Sequence, residues 1–265
     1  ITASGDNISI EHNKGSVFRV KPRPNEAVNK WWISDEIRYG WKFIHDENRL
    51  KLPLLRGHDA WDMPQAAQAW AESIQSAGEG LQKAGRLAVM ISPMLSCEDA
   101  WHLASLARSF DPEAVLGIGP VPFNGEDKTF PGGYTIRAEK APNARGVRRV
   151  LEAIGGELLD ASGFQARLNS DSSIGGVLLT GNYPSQWVTP DMAAAVGDAR
   201  FPGMMDTLPN GLTERADVLL PSATWVEKAG TFENADGLLQ AFERAITPLD
   251  YCKSESQISL DLLAW

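Results

Sequence analysis

Two apolar stretches separated by one amphipathic segment constrain the fold of this chain more than any other feature. Residues 87–91 and 114–118 are apolar runs of strand length. Between them, Ser96 can cap a helix with Asp99 three residues further on, and apolar side chains recur at helical spacing up to Phe110. A strand, a helix of about four turns and a second strand form a βαβ unit, whose strands are parallel and whose crossover is right-handed. The middle of the chain is therefore predicted to be α/β.

The second half of the chain repeats this alternation of apolar strands and amphipathic helices. Glycine can take the left-handed conformation that ends a helix. The pattern predicts a helix over 147–154 that ends at the glycine pair 155–156, a strand over 177–180, a helix over 190–196, a strand over 200–206 and a strand over 218–220.

The N-terminal part follows a different pattern. Its first 22 residues alternate apolar and polar side chains around an Asn-Lys-Gly turn at 13–15, which predicts a β-hairpin. A Trp-rich stretch follows to about Asp62, and its prolines prevent a long helix. A helical stripe then runs from Ala67 to Leu81, with Pro64 suited to the first turn. We therefore predict a hairpin and irregular wrap over 1–62 and an α/β domain over 63–265.

Composition limits the classes of partner. The chain has 265 residues, 43% of them hydrophobic, and a net charge of −9, so nucleic acid is not expected as the main partner. It has no apolar run of membrane-spanning length and no secretion signal, so we expect a cytoplasmic protein without direct membrane insertion. It opens with Ile1 rather than Met, which favours a processed chain or a fragment.

The usual metal spacings are missing. Cys97 and Cys252 are too far apart in sequence for a local metal motif, and we interpret them as free packed thiols. The four histidines are scattered without a second ligand at helical spacing, and we interpret them as surface or packing side chains; they are His12, His45, His58 and His102.

The sequence also lacks the motifs that are typical of nucleotide-binding proteins and of hydrolases. Gly117, Gly119 and the pair Gly175-Gly176 border strands, but neither place gives a GxGxxG turn with an acidic residue about 20 positions later. Ser173 and Ser222 lie outside any GxSxG context. We interpret the glycines as tight turns.

Two features indicate surfaces rather than chemistry. The segment 119–143 is rich in Gly and Pro, and connections of that length are usually functional loops, so we expect a partner-facing or packing loop. Trp31, Trp32 and Trp41 cluster in the wrap and could form a stacking platform. Burial against the α/β core is the interpretation we favour for them, because aromatic rings carry large apolar area.

Three segments, in this order, carry a family resemblance. They are Asp6 to His45; Asp127 to Phe130 with Tyr134 to Asn143 and Arg145 to Val147; and Ala216 to Pro221 with Glu227 to Gly237 and Gln240. Together they resemble the large iron-sulfur G subunit of NADH:quinone oxidoreductase (respiratory complex I), which carries a molybdopterin oxidoreductase superfamily domain. The resemblance implies an N-terminal hairpin and wrap, followed by Rossmann-like α/β layers of the DMSO reductase-like type. Those layers are expected to be shortened, because the stretch 177–217 is short.

The departures from the family matter as much as the matches. Asp6 and Ser34 stand where the family has cysteine. Cluster iron needs thiolate ligands, so these are vestigial ligand positions and we expect neither metal nor iron-sulfur cluster on this chain. Thr231, Asn234 and Gly237 occupy the stretch that faces pterin in the related enzymes. We prefer a structural turn there, and no cofactor is predicted.

The resemblance therefore favours a non-catalytic function. The first hypothesis is a cluster-less scaffold or assembly domain of a G-type subunit, which holds iron-sulfur and flavin subunits of an NADH dehydrogenase-type complex and lies peripheral to the membrane through that complex. The alternative is a pterin- or nucleotide-binding oxidoreductase that works without the cluster, since strand ends are the usual ligand crevice. A third option is one domain of a larger subunit whose other domains hold all redox groups.

Overall fold

The computed structural model describes residues 1–56 and 66–265. The strands in chain order are β1 (Ile8–Asn13), β2 (Ser16–Pro22), β3 (Leu54–Leu55), β4 (Arg86–Ile91), β5 (Val115–Ile118), β6 (Lys128–Thr129), β7 (Thr135–Ile136), β8 (Leu158–Leu159), β9 (Ile174–Thr180), β10 (Phe201–Asp206), β11 (Val218–Pro221), β12 (Gly230–Glu233) and β13 (Leu239–Phe242). The helices are α1 (Asp35–Tyr39), α2 (Ala66–Ala84), α3 (Cys97–Phe110), α4 (Ala144–Ile154), α5 (Ala161–Ser170), α6 (Pro190–Gly197) and α7 (Glu255–Leu263), with a 3₁₀ turn at Lys42–His45.

A central sheet of seven strands organises the α/β part, as the sequence predicts. Its order is β3-β11-β10-β9-β4-β5-β8. All neighbours are parallel except β3, which pairs antiparallel with β11 at one edge. The parallel strands place their carboxyl ends along one edge of the sheet, where ligands bind in open α/β sheets.

Both faces of the sheet are covered by helices. Leu87, Val89 and Ile91 of β4 pack with α2, α3, α4 and α7 on one face. Ala88 and Met90 point to the other face and pack with α5 and α6. Burial on both faces explains why the strands are continuous apolar runs rather than alternating ones.

The predicted βαβ unit is confirmed. Strands β4 and β5 are parallel neighbours joined through α3. The Ser96 hydroxyl accepts from the Asp99 amide at 3.0 Å, and the Ser96 amide donates to the Asp99 carboxylate at 3.4 Å. This reciprocal pair satisfies two amides that a helix N-terminus leaves without partners.

The remaining regular elements of the prediction are also found, with differences at their ends. The hairpin is β1–β2 with Gly15 at φ +81°, the stripe up to Leu81 lies in α2, and Gly155 and Gly156 follow α4 with positive φ. Pro64 and the predicted boundary between 62 and 63 lie outside the described residues. The pattern missed α5, β8 and the hairpin β12–β13, because each of these elements buries few side chains or is very short. It also missed α7, because two of the four buried residues of this helix, Glu255 and Ser259, are polar and break the apolar stripe.

The N-terminal hairpin has its own small apolar cluster. Val17 packs with Phe43 and Ile44 of the wrap and with Val226 and Ile246 of the C-terminal part. The cluster therefore joins the first 56 residues to the α/β part. In the described part of the chain, no helix has the length and apolar character needed to cross a membrane.

Candidate functional site

Asp6 and Ser34, the two positions predicted to be vestigial ligand positions, lie around one buried tyrosine. The Tyr134 hydroxyl donates to Asp6 Oδ2 at 2.7 Å. Ser34 is buried and caps α1, because its Oγ accepts from the Ile37 amide at 3.3 Å. Burial and the Asp6 carboxylate raise the pKa of Tyr134, and Ser34 opposes this shift, so Ser34 is also a neighbour of the phenol. Tyr134 comes from the 119–143 loop, which packs here against the wrap.

The Asp6 carboxyl has an unusual environment. Burial raises its pKa to about 6, although the Tyr134 hydrogen bond and the chain's terminal amine pull it down. Its second oxygen, Oδ1, is buried and has no hydrogen-bond partner. The carboxyl is therefore half satisfied, and its charged form is disfavoured by the surroundings.

The two cysteines do not supply the missing ligands. Cys97 begins α3 and lies 3.7 Å from the amide nitrogen of Asn143. The Cys252 thiol donates to the Leu50 carbonyl at 3.3 Å, and burial raises its pKa to about 11. Burial also raises the pKa of Cys97, so neither thiol favours the thiolate form that binds iron.

The chemistry of this donor set does not fit a four-iron cluster. Asp6 and Ser34 offer oxygen atoms that already accept hydrogen bonds from the chain, and cluster iron is bound by cysteine thiolates. Across residues 1–56 and 66–265, no group of three His, Cys, Asp or Glu side chains is arranged to hold a metal ion.

Thr231, one of the three residues in the pterin-facing stretch, is bound to a carboxylate of the chain itself. Its hydroxyl donates to Glu98 Oε1 at 2.7 Å and its amide donates to Glu98 Oε2 at 2.8 Å. Glu98 lies in the first turn of α3, where a negative side chain is favourable. A phosphate or pyrophosphate at this place would meet that carboxylate, so Thr231 does not fit a pterin dinucleotide contact.

Asn234 and Gly237 form the turn between β12 and β13. Asn234 Oδ1 accepts from the amides of Asp236 and Leu238 at 3.0 and 2.9 Å, and its Nδ2 donates to the Ser4 carbonyl at 3.2 Å. Gly237 has φ +83°, a conformation that disfavours other residues. These contacts support the turn that the sequence predicts, and they engage both polar atoms of the Asn234 side chain within the chain itself.

A buried ion cluster, which the sequence analysis missed, lies at the carboxyl ends of the strands. Lys228 Nζ is 2.8 Å from Asp99 Oδ2 and also contacts the Glu255 carboxylate. Ser256 donates to Asp99 from its amide at 3.0 Å and from its hydroxyl at 2.7 Å. All three charged side chains are almost fully buried. Asp99 and Glu255 each lie in the first turn of a helix, so the helix dipoles of α3 and α7 help to stabilise them.

The pKa directions within this ion cluster follow from burial and from the shared lysine. Burial disfavours the charged lysine, but Asp99 and Glu255 outweigh it and raise the pKa of Lys228. Burial by itself raises the pKa of both carboxyls. At Asp99 the contacts with Lys228 and Ser256 outweigh burial and lower the pKa, whereas at Glu255 burial is the larger effect and the pKa is raised. The Lys228 ammonium therefore stays protonated, and its charge stabilises the ionised form of Asp99 more than that of Glu255.

A second buried acid is connected to this ion cluster. Asn182 donates from its Nδ2 to Glu255 at 2.8 Å and from its amide to Asp206 at 2.8 Å. Trp187 and Asn210 donate to the other Asp206 oxygen, each at 2.8 Å. Burial raises the pKa of Asp206, and these donors oppose the shift. The ends of β9 and β10 are thus closed by side chains that satisfy one another.

Local sequence patterns could not have revealed this network. Asp99 was found only as a capping residue, and its partners Lys228 and Glu255 come from distant parts of the chain. The local signal in the sequence is limited to Asp99 and Glu255, each of which follows a serine cap in the first turn of a helix; Lys228 lies in a loop.

Comparisons with known proteins match both parts of the chain. A family model described as "NADH-ubiquinone oxidoreductase NDSU1/NuoG-like, 4Fe-4S domain" matches residues 1–42, and a model described as "Molybdopterin oxidoreductase" matches residues 148–264. Proteins named as the G subunit of NADH-quinone oxidoreductase are similar to it: one from Streptomyces coelicolor at 32% identity over 99 residues and one from Mycobacterium bovis at 29% over 205 residues. The chain is therefore similar to this G subunit in both of its parts.

The alignment with the G subunit is partial. The Streptomyces match covers 37% of this chain and 11% of the relative, and the Mycobacterium match covers 76% and 24%. A plant relative, the iron-sulfur protein 1 of mitochondrial NADH dehydrogenase (ubiquinone) from Solanum tuberosum, is 42% identical over 57 residues, which are 22% of this chain and 8% of the relative. The chain thus spans a quarter or less of the length of these proteins.

The matches coincide with the two regions described above. The 4Fe-4S match contains both Asp6 and Ser34, the two positions at which the sequence resemblance predicts replaced ligands. The molybdopterin match includes Thr231, Asn234 and Gly237. The resemblance deduced from the sequence is therefore confirmed.

Proposed function

We propose that this chain is a cluster-less scaffold or assembly domain of a G-type subunit in an NADH:quinone oxidoreductase-like electron-transfer complex. It holds iron-sulfur and flavin subunits in position, carries no electrons itself, and lies peripheral to the membrane through the complex. The carrying observation is that Asp6 and Ser34 are engaged in hydrogen bonds with Tyr134 and with α1. It supports the proposal because the family resemblance places cysteine at these two positions.

The strand-end network supports the same proposal. In an enzyme of this fold class, the edge at the carboxyl ends of the strands is where a ligand enters. Here Lys228, Asp99 and Glu255 bind one another, and Asn182 connects them to Asp206. Opening this edge would separate buried charges, which costs several kcal/mol. A closed edge suits a domain that provides shape rather than catalysis.

The alternative, a pterin- or nucleotide-binding oxidoreductase, has less support. Thr231 is bound to Glu98, and both polar atoms of Asn234 are used within the turn and at Ser4. Mass spectrometry of the denatured native protein decides between the two: a pterin dinucleotide or nucleotide released in about equal amount with the chain favours the alternative, and its absence favours the scaffold.

A genetic comparison in the native complex tests the scaffold function. Deleting the chain is expected to remove the neighbouring subunits from the assembled complex, because a scaffold acts by binding. The pair Asp6→Asn and Ser34→Ala is expected to leave NADH-driven electron transfer in the assembled complex unchanged, because neither side chain carries electrons.

Two results would contradict the proposal. One is a complex that assembles fully without the chain. The other is loss of electron transfer in the Asp6→Asn and Ser34→Ala variants while the subunit composition stays intact. Tyr39→Phe, on the exposed face of the wrap, is the matched control for a harmless substitution in the same region.

A further inference from the structure

The outer surface of the N-terminal hairpin has the opposite charge to the rest of the chain. Between Ile8 and Lys30 there are five lysines and arginines and two glutamates, a net charge of +3. Since the whole chain has −9, the remaining residues together have −12. A charge asymmetry of this kind indicates an oriented interaction rather than a property of the fold.

The positive charges are arranged on one face. Successive side chains of a strand alternate between faces, so Arg19, Lys21 and Arg23 share the outer face of β2 and its extension. The cross-strand residue Glu11 pairs with both Arg19, at 2.6 Å, and Lys21. One carboxylate thus serves two cations. Arg23 makes no ion pair within residues 1–56 and 66–265.

Two exposed tryptophans lie close to Arg23. The Asn29 side-chain amide donates to the carbonyls of both Arg23, at 3.3 Å, and Trp32, at 2.9 Å, and so fixes them side by side. Trp31 is 56% exposed and Trp32 51% exposed. The sequence analysis favoured burial for both tryptophans, and that prediction is wrong, because the loop 25–32 turns their rings outward while Asn29 occupies the interior. We call Arg19, Lys21, Arg23, Trp31 and Trp32 the hairpin patch.

We propose that the hairpin patch binds an acidic protein surface on a neighbouring subunit. The proposal rests on the proposed function, because it assumes that the chain has neighbouring subunits. Exposed tryptophan and arginine are the side chains that dominate binding at protein interfaces. The acidic remainder of the chain repels the same acidic partner in other orientations, so the patch sets which face docks.

Charge also argues against two other ligands of the hairpin patch, a nucleic acid and a second copy of the chain. A nucleic acid has one phosphate charge per 1.7 Å or so of duplex, and the net −12 outside the hairpin would repel it. A second copy of the chain would have to dock its patch on the acidic remainder of the first. Such a head-to-tail contact uses two different surfaces and forms rings or open chains instead of a closed dimer.

The test measures how firmly the chain is held in the native complex. Complex purified through a tag on another subunit is washed at increasing salt, and the ratio of this chain to the flavin subunit is quantified by mass spectrometry. Arg23→Glu, and separately Trp31→Ala with Trp32→Ala, are expected to weaken retention at least about tenfold. The matched control is Arg148→Glu, which makes the same charge change on the exposed face of α4 and is expected to retain the chain as the unchanged protein does.

A second readout needs no substitution. Lys21 is exposed in the isolated chain, and its acetylation is expected to fall several-fold in the complex. Equal retention of Arg23→Glu and Arg148→Glu together with equal acetylation of Lys21 would overturn the patch while leaving the scaffold function in place. Absence of the chain from the complex altogether would overturn both.

Two further measurements on the isolated chain test whether the hairpin patch binds a second copy or a nucleic acid instead. Light scattering that shows self-association abolished by Arg23→Glu would give the patch to a second copy and overturn the proposal. Tight binding of a single-stranded DNA oligonucleotide, lost in the same variant, would give it to nucleic acid and also overturn the proposal. A monomeric chain that ignores the oligonucleotide is the expected result.

Discussion

The vestigial cluster position and the strand-end edge are both closed by the chain's own side chains, but by different means. At the first, Asp6 meets the neutral hydroxyl of Tyr134, and one carboxyl oxygen stays without a partner. At the second, Lys228 is enclosed by two carboxylates at two helix N-termini. The pocket around Asp6 is thus filled by weak, half-satisfied contacts, whereas the crevice at the strand ends is filled with charge compensation between buried side chains.

The largest effect is expected at the strand ends. Lys228→Met leaves Asp99 and Glu255 buried without their cation, which is expected to lower the free energy of unfolding by about 3–5 kcal/mol. Chemical denaturation measures it. Lys83→Met, which breaks an exposed pair with Glu79 on α2, is the control and is expected to change stability by less than about 0.5 kcal/mol. Equal effects of the two substitutions would show that the buried ion cluster does not close this edge.

A smaller effect is expected at the vestigial cluster position. Tyr134→Phe removes the only donor to Asp6 among the described residues and leaves this half-buried carboxyl, whose Oδ1 already lacks a partner, without a hydrogen bond from the chain. We expect a loss of about 1–3 kcal/mol in the free energy of unfolding. Tyr39→Phe removes the same atom from an exposed ring and is expected to have no measurable effect. If both variants unfold alike, the contact with Asp6 contributes nothing to the closure.

The pH dependence of stability separates the two regions further. Burial raises the pKa of Asp6 from 3.8 to about 6 in the folded chain, so the folded state binds this proton more tightly than the unfolded state. The contribution of Asp6 is therefore present below about pH 4 and is lost as the pH rises through 6. Asp6→Asn cannot ionise and is expected to be more stable than the unchanged chain at pH 8, by about 1–2 kcal/mol.

Thermal unfolding at pH 4 and pH 8 checks the Asp6 prediction. The gain from Asp6→Asn should be absent at the lower pH and present at the higher one. Asp160→Asn is the comparison: the Gly163 amide and the Ser162 hydroxyl bind this exposed cap carboxylate and lower its pKa, so no gain is expected at pH 8. A gain that is the same at both pH values would mean that the charge of Asp6 is not what burial disfavours.

The smallest effect is expected at the β12 strand. Thr231→Val removes the hydroxyl bond to Glu98 and keeps the shape of the side chain, and the exposed carboxylate can be solvated by water instead. We expect a loss of about 0.5–1 kcal/mol and no other change. Calorimetry measures it against Thr247→Val, an exposed threonine whose hydroxyl makes no hydrogen bond among the described residues. A larger loss accompanied by release of a bound small molecule would assign Thr231 a ligand.

Periodic features of the sequence predicted the fold, and non-local contacts limited the rest. The stripe from Ser96 to Phe110 and the apolar strands around it are local patterns, so the βαβ unit and most strands were found. Helix α5 buries one side chain fully, Phe164, and gave no comparable pattern. The vestigial role of Asp6 and Ser34 came from the family resemblance alone.

The difference between local patterns and distant contacts is greater still at the candidate site. That Tyr134 would lie between the two vestigial positions is a tertiary fact, because it belongs to a loop whose path no periodicity describes. Lys228 and Glu255 likewise meet only through the ends of the strands. Residues that act through local turns, such as Asn234, could be interpreted from the sequence, and residues that act through distant partners could not.

The most direct test of the account is the iron content of the purified chain after anaerobic reconstitution with ferrous iron and sulfide. The account predicts that iron is removed completely by desalting and that the reduced sample gives no electron paramagnetic resonance signal, because oxygen side chains occupy the ligand positions. About four iron atoms retained per chain, with the spectrum of a reduced four-iron cluster, would contradict it.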